Sequence, residues 1–439
     1  MSRSITSAVL YAVDSISALF FSLATLALIA RHFGPEQYGV YGVAQSAAIM
    51  FVALIPLGIE QLVVREVASL NAKTSFLKSV NSITYAGACF YGLAILLFCL
   101  LTGVDSSQYP VFGAVAVGTA FTKVGYFRLF YSANGKATAI AVSAAVSRAL
   151  ALLYVAIGYK YDLSFYVVVW YYPLQTAVAA TILWFYGVRE TGVGWSVSGF
   201  DFLAVKTLLR DGRPLCIGGA LYYFYSQSDV AICALLLPKN EVGLYTAAIR
   251  LIPLAAFIGF SLLGAFYPNL QVKFKEDKEA FWCDLKKVLT TVYFMVVPLV
   301  AFTVIFAGKI VGLLYGPQYE QSALVLRVAA LSWLFLIPAP IFTRYVVMVG
   351  AGRIELSKMI VVAPIAVVLN YILIKSYGLI GGAVGVVLCY ATVDFLVYAL
   401  FKETRPILWA ALQALGRIAI QPLASAAEVK KLLWAKVAR

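Results

Sequence analysis

The chain has 439 residues, of which 62% are hydrophobic and only 12% are charged, and its formal net charge is +14. Soluble domains are usually about 45–50% apolar and about 25% charged, so this composition excludes a soluble protein built around one core. The long, unbroken apolar runs also differ from the alternating segments of an outer-membrane barrel. We therefore predict an all-α integral membrane protein.

Apolar runs long enough to cross a bilayer as helices follow one another along the chain, and they predict about twelve transmembrane helices. The first run is too long for the hydrophobic region of a signal peptide, so we interpret it as an uncleaved spanning helix. The predicted spans are 7–30, 40–64, 80–102, 109–131, 138–158, 164–187, 214–237, 242–268, 288–307, 322–348, 356–375 and 380–401.

The end of the chain differs from the spans before it. Residues 407–420 form an apolar run that is too short to cross a membrane comfortably, and whether it inserts is left open. Residues 430–439 mix lysine and arginine with leucine and tryptophan. This mixture predicts that the tail, residues 403–439, is cytoplasmic or forms an amphipathic helix at the membrane surface.

The basic residues of the loops predict the orientation. If the N-terminus lies in the cytoplasm, the cytoplasmic segments hold most of the loop lysines and arginines. The positive-inside rule then predicts a multi-pass protein of the cell (cytoplasmic or inner) membrane with both termini in the cytoplasm. Because these cations spread over many loops and form no compact patch, they argue against a nucleic-acid partner.

Two short motifs indicate an internal repeat. A proline turn followed by Gly39-Val40-Tyr41 opens the second predicted helix, and a proline turn followed by Gly243-Leu244-Tyr245 opens the eighth. A second pair, around Gly135 and Gly352, recurs at a similar offset. The pattern predicts two parallel six-helix repeats around a central cavity.

The repeat also predicts how the chain is divided. The predicted parts are an N-terminal six-helix bundle at 1–188, a cytoplasmic linker at 189–213, a C-terminal six-helix bundle at 214–402 and the tail at 403–439.

Charged residues within the predicted spans are the candidate functional residues, because a central charge costs about 2.5–3.5 kcal/mol on insertion scales. Candidates for binding a substrate phosphate are Lys123, Arg148, Arg250, Arg128, Arg327 and Arg344. Those near the ends of spans, such as Arg128 and Arg344, are explained equally well by snorkelling to the interface. Glu60 lies near Arg65 and is interpreted the same way. Structural ion pairs between helices are the alternative for the deeper cations.

A polar stripe occupies one face of the seventh predicted helix. Tyr222, Tyr225 and Asp229 are spaced by three and four residues and share that face. They suit a water-filled cavity, a cation site or a sugar contact. The complete set of candidates for cavity polar groups or ion coupling is Asp229, Tyr222, Tyr225, Asp14 and Asp394.

Enzyme and metal chemistry find little support in the sequence. The single histidine, His32, has no ligand cluster around it, and none of the six cysteines forms a C-x-x-C pair. The D-x-D, H-E-x-x-H and Walker lysine motifs are absent, and the predicted external loops are short. We predict no metal, no cofactor and no catalytic residue.

The segment Arg31-His32-Phe33-Gly34-Pro35-Glu36-Gln37-Tyr38-Gly39-Val40-Tyr41 resembles the early signature of Wzx-type polysaccharide or O-antigen flippases, which belong to the multidrug/oligosaccharidyl-lipid/polysaccharide exporter superfamily. The stretch from Tyr225 to Asp229, followed by Glu241 to Tyr245, is similar to the second-half signature of that family. The resemblance in layout covers residues 5–401. It implies two six-helix bundles, a cationic central cavity and alternating access.

The resemblance also implies a function. A polyprenyl-(pyro)phosphate-linked oligosaccharide would be moved from the cytoplasmic to the outer leaflet for cell-surface polysaccharide or glycan biosynthesis, with a coupled proton or sodium ion at Asp229. The implied partners are this lipid-linked oligosaccharide, membrane lipid, and a polysaccharide polymerase or glycosyltransferases. Two alternatives are an ion-coupled multidrug exporter of the same superfamily and a membrane-embedded polysaccharide polymerase. A multidrug cation exporter would need an acidic cavity, whereas the charges within the predicted spans are net basic.

Overall fold

The computed structural model describes residues 2–68, 74–196, 198–199 and 201–420, with side chains at Ser17 and, for nearly all residues, from Phe20 onward. Within these ranges the secondary structure is helical and includes no β-strand. The α-helices are α1 (Ser2–Met50), α2 (Glu60–Ala68), α3 (Thr74–Leu101), α4 (Tyr109–Lys123), α5 (Phe127–Ala133), α6 (Ala137–Lys160), α7 (Phe165–Val168), α8 (Tyr171–Thr191), α9 (Phe202–Leu236), α10 (Lys239–Ile249), α11 (Ala256–Glu276), α12 (Lys278–Tyr315), α13 (Ser322–Ala329), α14 (Trp333–Leu336), α15 (Ala339–Met348), α16 (Arg353–Asp394) and α17 (Arg405–Ile420).

Eight helical segments of the described chain are long and apolar enough to cross a membrane. The prediction of an all-α multi-pass membrane protein is therefore confirmed. Helix α1 and the turn after it contain the first predicted span and much of the second, and α16 contains most of the last two. Predicted spans 109–131 and 214–237 fall on helices that are not among the eight.

Rows of large apolar side chains remain exposed on the outside of these helices. On α3, Leu93, Leu97 and Leu100 are exposed, and on α16 the exposed row includes Val361 and Ile365. Spacings of three and four residues place each row on one helical face. Soluble monomers rarely expose apolar surface of this extent, so these rows are suited to contact with lipid.

The second predicted span, 40–64, is not one continuous helix. Helix α1 ends at Met50 and α2 begins at Glu60, and a short 3-10 turn with Pro56 after it lies between them. Proline has no N–H to donate and its ring opposes a continuous helix. The broken helix places Glu60 at the start of a short helix rather than within a long one.

The chain folds into two compact units, Met1–Thr246 and Ala247–Arg439. In the first unit, α1 packs against α4, α6 and α9, while α8 packs against α4 and α6. Helix α9 begins at Phe202, inside the segment predicted as a linker. The division into bundles at 1–188 and 214–402 stays a prediction, and residues 421–439 of the predicted tail lie outside the described residues.

In the first unit, the two Gly-x-Tyr motifs pack directly on each other. A Cβ atom on Gly243 would lie 1.8 Å from the Pro35 carbonyl oxygen, and one on Gly39 would lie 2.6 Å from the Lys239 carbonyl oxygen. Only glycine permits backbones to approach this closely. The motifs that indicated a repeat in the sequence are therefore also a packing contact.

In the second unit, α12 packs against α11, α13 and α17. The 407–420 run is part of α17, whose Ile407, Ala411 and Ala414 are buried. Helix α16 is a hairpin of two antiparallel arms, because its backbone leaves the helical conformation at Gly378 (φ 57°, ψ −134°). Glycine adopts this positive φ without the strain that a side chain would cause. The turn brings the first residues of α16 back beside its last ones.

Candidate functional site

A cavity of 340 Å³ in the first unit is lined by Lys123, Arg128 and Arg148, together with Glu60. The other lining residues are uncharged. Three basic residues against one acidic residue leave this space net positive, and we call it the cationic cavity. Its volume falls within the range of about 300–1,000 Å³ that is usual for small-molecule sites.

The helix predicted over residues 109–131 is broken where it meets this cavity. Helix α4 ends at Lys123, and α5 begins at Phe127. The prediction of one continuous helix over 109–131 is therefore wrong. Instead, Lys123 and Arg128 reach the cavity from the two sides of the break.

Hydrogen bonds to neighbouring elements hold the break in place. The Gly125 N–H donates to the hydroxyl of Thr84 on α3 at 3.0 Å. The next residue, Tyr126, is fully buried, and its hydroxyl donates to the Val193 carbonyl after α8 at 2.8 Å. These contacts fix the segment between the two cations, so the cavity has a defined wall there.

The Lys123 ammonium donates to Glu60 Oε1 at 2.8 Å. The side chains are 26% and 39% exposed, respectively. Glu60, interpreted from the sequence as a snorkelling residue near Arg65, is thus the ion-pair partner of Lys123. Exposed ion pairs of this kind contribute about 0–1 kcal/mol to stability, so Glu60 is a counter-ion that an anionic ligand could replace.

The two arginines of the cavity come from different helices. Arg148 on α6 is half-buried, and its Nη1 donates to the Ser17 hydroxyl at 3.4 Å. Arg128 on α5 is exposed to the cavity. A planar guanidinium binds phosphate with two parallel charge-assisted hydrogen bonds, so the cavity has the chemistry of an anion site.

The other three predicted cations lie in the second unit and do not line the cationic cavity. Arg250 follows α10 directly and is half-buried. Arg327 is exposed on α13, and Arg344 on α15 lies with its Cζ 5.5 Å from the centre of the Tyr267 ring. A phosphate-binding role for these three residues stays a prediction.

The polar stripe of α9 divides between two environments. Tyr222 is exposed, whereas Tyr225 and Asp229 are buried, Asp229 to 6% exposure. The Tyr245 hydroxyl donates to Asp229 Oδ2 at 2.8 Å. This partner comes from the second Gly-x-Tyr motif, and sequence spacing did not indicate it. An ion-coupling role for the stripe stays a prediction.

The remaining acidic candidates are Asp14 and Asp394. The side chain of Asp14 lies outside the described residues. Asp394 is the last residue of α16, and its Oδ1 lies 3.7 Å from the Lys358 ammonium. Lys358, near the start of predicted span 356–375, was not among the candidate residues, and its side chain is 2% exposed between the arms of the hairpin.

A second, smaller cavity of 180 Å³ lies in the same unit as the cationic cavity and was not predicted. Its lining is largely apolar, with Asp105 and Lys239 as its charged residues. The Ser107 N–H donates to Asp105 Oδ1 at 3.1 Å, and this bond lowers the pKa of the Asp105 carboxyl. None of the predicted site residues lines this cavity.

Comparison with known proteins gives a family match over more than half of the chain. The family described as "Polysaccharide biosynthesis protein" matches residues 7–271. The probable low-salt glycan biosynthesis flippase Agl15 of Haloferax volcanii is 22% identical over 50% of this chain and 46% of its own length, so the match spans about half of that relative. A putative O-antigen transporter of Shigella flexneri is 20% identical over 85% of this chain and 91% of its own length.

Solved structures agree on the fold. The structure described as lipid II flippase MurJ in an inward closed conformation has a TM-score of 0.69, with 14% sequence identity over 99% of this chain and 100% of that one. At this identity the likeness concerns the fold alone.

Proposed function

Because this chain belongs to the polysaccharide biosynthesis protein family, we propose that it is a flippase that moves a polyprenyl-(pyro)phosphate-linked oligosaccharide from the cytoplasmic to the outer leaflet. It is a transporter rather than an enzyme. Its membrane is the cell membrane, and both termini lie in the cytoplasm. The observation that carries the proposal is the cationic cavity, where Lys123, Arg128 and Arg148 meet.

The charge of the cavity matches the substrate. A lipid-linked sugar carries one or two phosphates between the glycan and the isoprenoid chain, and these phosphates must leave water to cross the membrane. Burial of an unpaired anion is very costly, whereas arginine and lysine donors neutralise phosphate with strong hydrogen bonds. A cavity with three basic residues and one acidic residue supplies those donors.

Relatives support the same class of substrate. The Haloferax volcanii relative is described as a probable glycan biosynthesis flippase, and the Shigella flexneri relative as a putative O-antigen transporter. A net basic cavity also argues against export of cationic drugs, for which an acidic cavity would be expected. We therefore place the phosphate among the three cations, with the isoprenoid chain in lipid and the glycan in water.

The proposed order of events begins with the Lys123–Glu60 pair. The phosphate enters the cavity from the membrane and replaces the Glu60 carboxylate as the partner of Lys123, while Arg128 and Arg148 bind its other oxygens. A conformational change then exposes the headgroup to the opposite side. The remaining polar groups along the path position the glycan. The three cations bind the phosphate in the same way whichever glycan is attached.

Removal of the three charges tests the proposal. The purified chain is reconstituted into vesicles, and translocation of a defined fluorescent polyprenyl-pyrophosphate-linked oligosaccharide is measured for wild type and for Lys123→Gln/Arg128→Gln/Arg148→Gln. Since each hydrogen bond to a charged group contributes about 1.5–3 kcal/mol and three charged donors are removed, we expect translocation to fall by more than about 100-fold.

A matched triple variant controls for the loss of positive charge. Lys275, Lys278 and Lys286 are exposed and lie outside the cavity, so Lys275→Gln/Lys278→Gln/Lys286→Gln should translocate like wild type. The proposal fails if the cavity variant keeps wild-type translocation while folding normally, or if both triple variants lose it equally.

A further inference from the structure

Four polar side chains meet at the open end of the α16 hairpin, and none of them lines the cationic cavity. Glu355 and Lys358 lie near the start of α16, and Asp394 is its last residue. Tyr398 lies in the 3-10 turn Leu396–Ala399 that follows. We call these four residues the buried cluster.

Within the cluster, Glu355 is fully satisfied as a carboxylate. The Lys358 ammonium lies 2.7 Å from Glu355 Oε2. The same ammonium donates to the Tyr398 hydroxyl at 2.9 Å, and that hydroxyl donates to Glu355 Oε1 at 2.7 Å. Both oxygens of Glu355 therefore have a donor, and the positive charge of Lys358 is committed to this carboxylate.

Asp394 is paired less closely than Glu355. It lies 3.7 Å from Lys358, beyond hydrogen-bond distance. Among the described residues, Lys358 is its only ion-pair partner. With one ammonium and two carboxylates, the cluster has one more negative than positive charge when all three groups are ionised. The side chain of Asp394 is 18% exposed, while Lys358 is almost fully enclosed.

Charges on the neighbouring elements do not correct this imbalance. Of the helices packed against α16, α13 carries Arg327, α15 carries Arg344 and Tyr345, and α14 carries no titratable side chain. Arg405 follows the turn that holds Tyr398, and its Nε donates to the Ala399 carbonyl at 2.7 Å. Arg327 and Arg344 are exposed, and Arg344 lies over the Tyr267 ring. Over the described part of the chain, none of these arginines forms an ion pair with Glu355 or Asp394.

An uncompensated charge within a membrane protein is costly, and a single positive charge would remove it. The Lys358 ammonium already occupies the space between the two carboxylates, where a metal ion would have to bind. The described residues also contain no group of three or more histidine, cysteine, aspartate or glutamate side chains that could hold a metal. A proton needs no such space and requires only a carboxylate oxygen without a close donor, and Asp394 Oδ1 lies 3.7 Å from the Lys358 ammonium.

We propose that Asp394 is a proton-binding site whose occupancy is set by the Glu355–Lys358 pair. A proton from water adds to the Asp394 carboxylate, Glu355 stays ionised beside Lys358, and the cluster becomes neutral. This inference goes beyond the proposed function, since it holds for whichever molecule the chain carries. In a transporter, such a site links proton uptake to the conformational cycle.

Infrared difference spectroscopy of the purified full-length protein tests the proposal through the C=O stretch of protonated carboxylic acids. On a step from neutral to mildly acidic pH, wild type should gain one carboxylic acid band that is lost in Asp394→Asn. It should also be lost in Glu355→Gln, because Lys358 is then free to pair with Asp394 and the cluster is neutral without a proton. Glu403→Gln, which removes an exposed carboxylate, should keep the band.

Each other outcome overturns the proposal. If the band persists in Asp394→Asn, the proton binds to another carboxylate. If the band persists in Glu355→Gln, proton binding at Asp394 does not depend on the Glu355–Lys358 pair. A wild-type band that sodium ions abolish makes the cluster a cation site. If Asp394→Asn does not fold, Glu355→Gln gives the same test. No lipid-linked sugar is present, so failure here leaves the proposed flippase function unaffected.

Discussion

Two lysine–glutamate pairs of nearly equal length have different surroundings. Lys123 and Glu60 are 2.8 Å apart at the cationic cavity, and Lys358 and Glu355 are 2.7 Å apart in the buried cluster. The Lys123 side chain is 26% exposed, whereas that of Lys358 is 2% exposed. Further cations surround the first pair and a further carboxylate adjoins the second. Burial and local charge balance, rather than distance, therefore separate an exchangeable counter-ion from a fixed charge.

Replacement of the lysine in each pair should give the largest difference in stability between the two regions. Lys358→Met leaves two carboxylates without their cation, and breaking a buried pair in this way typically costs about 3–5 kcal/mol. Lys123→Met breaks an exposed pair and should cost less than about 1 kcal/mol. The free energy of unfolding in mixed detergent micelles measures both variants.

Equal destabilisation by the two lysine variants would contradict the comparison. In that case, the burial of Lys358 would not determine how much its ion pair contributes to stability. A double variant, Lys358→Met with Glu355→Gln, refines the test, because it removes one of the two stranded carboxylates and should recover part of the lost stability.

Removal of the hydroxyl group from either of two buried tyrosines should lower stability by less than removal of Lys358. The Tyr398 hydroxyl connects Lys358 to Glu355, and the Tyr126 hydroxyl donates to the Val193 carbonyl beside the cationic cavity. Since hydrogen bonds to charged groups contribute about 1.5–3 kcal/mol and neutral ones about 1 kcal/mol, Tyr398→Phe should destabilise more than Tyr126→Phe. Thermal unfolding of both variants in one detergent measures the order, and a reversed order would count against a charged network at Tyr398.

The smallest effect is expected at Glu60. Glu60→Gln removes the counter-ion of Lys123 and should leave stability nearly unchanged, while binding of polyprenyl phosphate becomes a few-fold tighter because the phosphate no longer competes with a carboxylate. Equilibrium binding of a labelled polyprenyl phosphate measures this change.

A matched control exists in the same unit. Lys136 and Glu190 form an exposed pair at 2.7 Å that does not line the cavity. Glu190→Gln should therefore leave polyprenyl phosphate binding unchanged. Tighter binding in both variants would indicate a general charge effect rather than competition at Lys123.

Much of the fold could be predicted because hydropathy and run length are local properties. The apolar runs placed the spans, and most of them coincide with helices of the structure. Breaks at Met50 and at Lys123 were missed. The second break depends on hydrogen bonds that Gly125 and Tyr126 donate to Thr84 and Val193, which lie far from it in the sequence.

Part of the candidate site could also be predicted from local features of the sequence. A charge within an apolar run is visible in the sequence, so Lys123, Arg128 and Arg148 were singled out. Their shared cavity and the partner of Lys123 were not visible, because Glu60 is 63 residues away. Lys358 was not singled out, because its place near the start of an apolar run gives its depth along a helix but not which groups face it.

The hairpin of α16 also affects how the chain can insert into the membrane during its synthesis. Lys358 and Asp394 meet because one turn at Gly378 returns the second arm to the first, so their approach requires no other helix. During synthesis, the two arms could enter the bilayer together, with opposite charges already side by side and apolar rows such as Val361 and Ile365 facing outward. The cost of dehydrating those charges would then be reduced at insertion itself, before the later helix α17 emerges from the ribosome.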